Sequence, residues 1–146
     1  MLITKEIGID MGHRVPNHKS KCRNLHGHHY TIEVGVDDKV ITARGLSDEG
    51  MVIDYGDLKQ IMIEEIDNKL DHGFLMYNED ELANYFDEEL LEKMKMKIIF
   101  INVIPTAENI ARYLFDLIKA RLLKVGIKIK HVKVWETPTS AATYEE

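Results

Sequence analysis

Alternating apolar and polar positions open the chain. Over residues 2–13, Ile3, Ile7, Ile9 and Met11 share odd parity, and His13 continues it at the end, which predicts a strand. Residues 14–25, RVPNHKSKCRNL, are polar and hold Pro16 and two asparagines, which predicts a loop. Alternation resumes over about 26–37, where Tyr30, Ile32, Val34 and Val36 share even parity with His26 and His28. DDKVITARGLSDEG reads as a turn and irregular connection, and MVIDY as a short strand. The period then lengthens. Asp54 is placed to cap a helix whose stripe runs Leu58, Ile61, Met62, Ile66 and Leu70.

Residues 79–95 are acidic and weakly patterned, and read as one or two exposed short helices. IIFINVI, 98–104, is rich in β-branched residues and predicts a buried strand. Thr106 then caps a second strong helix, with Ile110, Tyr113, Leu114, Leu117, Ile118 and Leu122 on one face and Gly126 as its stop. The last strand spans about 127–136. Its alternation changes phase near Lys130 to Val132, as a bulge would cause. The order β-β-(β)-α-(α)-β-α-β is an α+β plan, with helices over one face of a mostly antiparallel sheet. The length fits a single domain over residues 1–146.

A net charge of -6 argues against a duplex nucleic-acid binder, which would present a basic face. Arg14, Lys19, Lys21 and Arg23 nevertheless make a basic island around Cys22, either a solvated loop or a place for a small anion. One cysteine excludes an intramolecular disulfide and suits a reducing cytosol, so a cytoplasmic location is expected. The charged N-terminal stretch has no signal-peptide core. No run approaches the roughly 20 apolar residues of a membrane span.

Histidines change this picture. Positions i and i+2 of a strand face the same way about 7 Å apart, so His26 and His28 can converge on one ion. If the first two strands pair antiparallel, His13 lands beside them. Three neutral imidazoles with a fourth position open is the pattern of a catalytic zinc site. The same spacing also suits surface or hydrogen-bonded core histidines. His29 has the opposite parity.

HRVPNHKSKCRNLHGHHYTIEV resembles the 6-pyruvoyl-tetrahydropterin synthase and 6-carboxytetrahydropterin synthase family. GMVIDYGDLK, LDH, PTAENIARYLF and WETPTSAATY follow in the family's order and extend the resemblance over nearly the whole chain. The acidic stretch 79–97 matches no motif. The resemblance implies a tunnelling fold: a four-stranded antiparallel sheet with two main helices on one face. Three subunits would close a barrel, and two trimers would stack as a homo-hexamer with active sites at subunit interfaces. It implies Zn2+ on His13, His26 and His28, and 7,8-dihydroneopterin triphosphate as substrate.

C-x3-HGH spacing resembles the carboxytetrahydropterin branch of queuosine and deazapurine biosynthesis. That branch forms 6-carboxy-5,6,7,8-tetrahydropterin with loss of acetaldehyde and triphosphate. A pyruvoyl-forming enzyme and a non-catalytic zinc-binding relative are the alternatives. The resemblance also assigns residues. Cys22 would be the general base, and Asp71 and His72 an acid/base pair facing a neighbouring subunit's cysteine. Glu136 would anchor the pterin, with Thr106 and Glu108 lining the pocket.

Overall fold

The computed structural model describes residues 1–146. β1 (Leu2–His13) and β2 (His26–Asp37) form a long antiparallel pair in unbroken register, from Leu2 opposite Asp37 to His13 opposite His26. One face of this pair carries Ile9, Met11, Tyr30, Ile32, Val34 and Val36, all buried. Asp10 and His29 on the other face are exposed.

α1 (Tyr55–Met62) is capped by Asp54, which accepts from the Gly56 N–H at 2.6 Å. It runs through one wide π turn, Ile63–Asp67, into α2 (Asn68–Leu70). Met62, Ile66 and Leu70 are spaced by four residues and would drift around a regular 3.6-residue helix. The wide turn absorbs that drift, and all three are buried. β3 (Phe74–Tyr77) follows, then a 3-10 turn at Glu81–Tyr85 and α3 (Glu88–Met94), neither with a fully buried residue. These are the two short exposed helices expected of the acidic stretch. β4 (Ile98–Ile101) leads to α4 (Ala107–Lys124), which Thr106 caps and Gly126, at φ +75°, ends. β5 (Ile129–Thr137) and β6 (Ser140–Glu145) complete the chain.

The sheet order is β4-β3-β1-β2-β5-β6. This corrects the expectation of four antiparallel strands. β1, β2, β5 and β6 are antiparallel, but β3 lies parallel to β1 and to β4, so the sheet is mixed with six strands. Three local readings also change. MVIDY is not a strand; Met51 to Asp54 is irregular, with Val52 in the core and Asp54 spent on its cap. The apolar run at 98 pairs for only four residues on a sheet edge, where Phe100 is exposed, so it is not a buried strand to residue 104. β3 and β6 carry weak signals: four apolar residues without alternation, and a run of small residues.

The expected bulge is present. Gly35 faces His131 and Val36 faces Ile129, which leaves Lys130 as the extra residue. A second bulge carries no signal in the sequence. Trp135 faces Ala141 and Thr137 faces Ser140, so Glu136 has no partner in β6. α4 packs on the same sheet face as α1, and a continuous core joins both helices to β1, β2 and β5.

Candidate active site

His13 and His26 are direct cross-strand partners, and His28 faces Met11 two positions along. The three rings stand 4.6 to 5.2 Å apart by centroid. One nitrogen from each lies within 4.8 Å of the others. Hydrogen bonds decide which nitrogen. His13 donates from Nδ1 to the Pro105 carbonyl at 2.6 Å, and His26 donates from Nδ1 to the Asn24 carbonyl at 2.8 Å. A carbonyl can only accept, so both protons are on Nδ1 and both Nε2 lone pairs are free. The Nε2 atoms of His13, His26 and His28 are all buried without a hydrogen-bond partner.

A buried orphan costs about 1–3 kcal/mol, so three that converge on one point are a donor set that a shared ligand would satisfy. Burial holds the His13 pKa below its ordinary value, against the opposing bond to Pro105, and so favours the neutral form that a metal needs. Three convergent imidazoles, two of them with outward bonds that turn Nε2 to the centre, fit a zinc ion.

Glu136 borders this centre. Its carboxylate oxygens lie 3.8 Å from His13 Nε2 and 3.8 Å from His28 Nε2. It also lines a cleft of about 470 Å³ with Glu6, His28, Thr31, Trp135 and Thr137. That cleft opens where β5 stops pairing with β2 after Trp135 opposite Thr31. Tyr30 closes the core side, edge-on to His13 and His28, and its buried hydroxyl has no partner.

Pro105, whose carbonyl fixes His13, brings Thr106 alongside. The Thr106 hydroxyl itself accepts from the Asn109 N–H at 3.4 Å and caps α4. Glu108 is exposed on the first turn of α4 and makes no side-chain hydrogen bond. Cys22 sits half-buried in a single 3-10 turn, Lys21–Arg23, and its thiol is not among the mutually close donor atoms.

Asp71 and His72 lie elsewhere. His72 lines a shallow depression with Asp10, Gly12, Gly27, His28 and His29. It has φ +56° and an exposed ring. Asp71 accepts from the Asp10 N–H at 2.9 Å, and the His72 N–H donates to the Asp10 carbonyl at 2.7 Å. Lys97 donates to the Asn68 and Asp71 carbonyls and closes the helix end. Within the pair, His72 Nδ1 donates to Asp71 at 2.6 Å. The Asp10 N–H first, and His72 second, hold the Asp71 carboxyl below its usual range, while the bond to Asp71 raises the His72 pKa. The chain therefore gathers His13, His26, His28, Glu136 and the Thr106 segment, but not the Asp71–His72 pair.

Three contributors escaped the sequence reading: Asp10, Lys97 and Asp80. Asp80 is fully buried against Arg14. It stands in an acidic run that reads as solvated, and nothing in one sequence separates it from its neighbours.

Comparisons with known proteins agree with this layout. The family model of 6-pyruvoyl tetrahydropterin synthase matches residues 2–146. A Haemophilus influenzae protein named 6-carboxy-5,6,7,8-tetrahydropterin synthase is 35% identical over 144 residues, covering 99% of this chain and 98% of the relative. An Aquifex aeolicus protein of the same name is 36% identical over 134 residues, covering 87% and 77%. Among solved structures, an uncharacterised protein from Wolinella succinogenes superposes with a TM-score of 0.80 at 26% identity, over 99% of this chain and 97% of that one. The Caenorhabditis elegans 6-pyruvoyl tetrahydropterin synthase gives 0.69 at 25% identity, over 100% and 95%. With the family model matched along almost its full length and relatives above 30% identity, the chain belongs to the 6-pyruvoyl tetrahydropterin synthase family.

Proposed function

We propose that this enzyme converts 7,8-dihydroneopterin triphosphate, with uptake of one water, to 6-carboxy-5,6,7,8-tetrahydropterin, acetaldehyde and triphosphate. The observation that carries the reading is the set of three buried, unpartnered Nε2 nitrogens beside a cleft that ends in a carboxylate. The shared name of the bacterial relatives and the C-x3-HGH spacing favour the carboxy product.

His13, His26 and His28 would hold zinc. When bound, zinc supplies a Lewis acid that polarises the substrate's side-chain hydroxyls. The chain's own groups do the rest. Cys22 takes a proton from the substrate side chain as general base. His72, oriented by Asp71, exchanges the second proton. Glu136 accepts from the adjacent N–H groups of the pterin's pyrimidine edge, a fork that fits one carboxylate. Thr106 borders the pterin, with Glu108 on the following turn.

Asp71 and His72 are outside the group of mutually close donor atoms, and the His72 ring is exposed. This supports a site completed by a second subunit, in a homo-oligomer that the family expectation makes a dimer of trimers. No helix is long and apolar enough to cross a membrane. We place the reaction in the cytoplasm and in queuosine biosynthesis, where the carboxypterin is consumed.

Incubation of the zinc-loaded enzyme with 7,8-dihydroneopterin triphosphate tests the proposal. Acetaldehyde and a carboxypterin in equal amounts support it. A pyruvoyl pterin without acetaldehyde assigns the chain to the family's other activity, and unchanged substrate contradicts both.

A further inference from the structure

The loop that carries Cys22 is polar and mostly exposed, yet its backbone is held at three consecutive carbonyls. The Cys22 carbonyl accepts from the Val15 N–H at 2.9 Å, and the Asn24 carbonyl accepts from His26 Nδ1 at 2.8 Å. Between them, the Arg23 carbonyl accepts from Arg14 Nη1 at 3.2 Å. The outer two holds come from the metal strands, since Val15 follows β1 and His26 begins β2. The middle hold depends on Arg14, whose other two nitrogens both face Asp80. Nε and Nη2 form a fork on Asp80, at 2.6 and 2.9 Å. The Asp80 carboxylate is completely buried and also accepts from the Leu82 N–H at 2.9 Å.

Arg14 belongs to the basic island, yet three of its five N–H groups are spent inside the chain. A planar guanidinium suits this, because its three nitrogens are spread in a rigid fork: two meet the carboxylate while the third turns to a carbonyl. A buried carboxylate suits it too, because solvent screens an exposed one and leaves the arginine mobile.

We infer that the Arg14–Asp80 pair is a positioning device: it fixes the Cys22 turn relative to the histidine-bearing strands, from the segment that follows β3. Asp80 is outside the cluster of mutually close donor atoms, and the pair acts through the backbone beside Cys22. The inference rests on the proposed role of Cys22 for its effect on turnover, but its effect on the loop is independent of that role.

The test uses the zinc-loaded enzyme and two variants. Arg14→Met/Asp80→Leu removes both charges together, so no buried charge is left unpaired, and the protein is expected to fold. Arg14→Lys keeps a cation against Asp80 but lacks the fork. In both, amide hydrogen exchange over residues 18–25 is expected to rise at least tenfold while the core strands exchange as in wild type. Alkylation of Cys22 by iodoacetamide is expected to change in rate, zinc content to stay near wild type, and kcat to fall at least tenfold with KM within about threefold.

Wild-type exchange across the loop in a folded variant would overturn the inference; if the double variant fails to fold, Arg14→Lys decides by the same readout. Altered exchange with wild-type kcat would also overturn it as a catalytic device. An inactive wild type, or a fully active Cys22→Ala, would instead count against the proposed function while the exchange result still stands on its own.

Discussion

Gly12 of β1 and Gly27 of β2 face each other across the ladder, between the pair that joins His13 to His26 and the pair that joins Met11 to His28. A Cβ on Gly27 would lie 2.8 Å from the Met11 carbonyl oxygen, closer than real side chains come to backbone. The two strands would have to part at the ligands themselves. Gly27→Ala is expected to fold but to bind zinc about 10–100-fold more weakly, the size of effect seen when a supporting contact of a metal ligand is lost. Chelator competition with a chromogenic dye measures it; unchanged affinity would mean that the ligand geometry tolerates the displacement.

Cys22 is outside the cluster of donor atoms, so it should be dispensable for the metal and required for the proton. Cys22→Ala is expected to retain zinc and thermal stability while turnover falls about 10²–10⁴-fold, the usual worth of a positioned base. Metal analysis and steady-state kinetics on the same preparation separate the two. Loss of zinc in this variant would convert Cys22 from a base to a ligand.

The bond between His72 and Asp71 gives the pH dependence a sign. The histidine pKa is raised by that bond, so the protonated form persists to higher pH than for a free histidine. The limb of the kcat profile that reports His72 should therefore lie above the ordinary histidine value. Asp71→Asn removes the charge and moves that limb to lower pH. An NMR titration of the His72 ring in both proteins checks the assignment without substrate; the same pKa in the two would show that the pair is not coupled.

Glu136 is assigned to the pterin and not to the metal. Glu136→Gln should keep zinc and fold but lose the charged half of a forked hydrogen bond, worth about 1.5–3 kcal/mol, so that KM rises about 10–100-fold. Isothermal titration with a pterin that lacks the triphosphate side chain isolates this contact. Wild-type binding there would remove Glu136 from the anchor role.

Parity is enough to place the three histidines on one face and to leave His29 off it, because β1 and β2 pair without a bulge and one face turns to the core from Ile9 to His13 and from Tyr30 to Val36. The two capped helices were legible for the same kind of reason: Asp54 and Thr106 stand directly before long apolar stripes, and both accept the capping N–H. The short strands were not. β3 has four residues and takes its place from hydrogen bonds to β1 and β4 that no local pattern announces. The bulge at Glu136 depends on how β6 folds back. The Arg14–Asp80 fork joins residues 66 positions apart, and Asp80 differs from the exposed acids around it only in what packs over it. Site chemistry carried by strand periodicity could be read in advance; chemistry set by long-range polar pairing could not.

The central claim is a metal held by three imidazoles, with the lone cysteine kept apart as the base. X-ray absorption at the zinc edge of the purified enzyme tests it most directly. About one zinc per chain, with a shell of nitrogen and oxygen scatterers that includes three imidazoles, is the expected result. A sulfur scatterer in that shell, or no zinc at all, would contradict it.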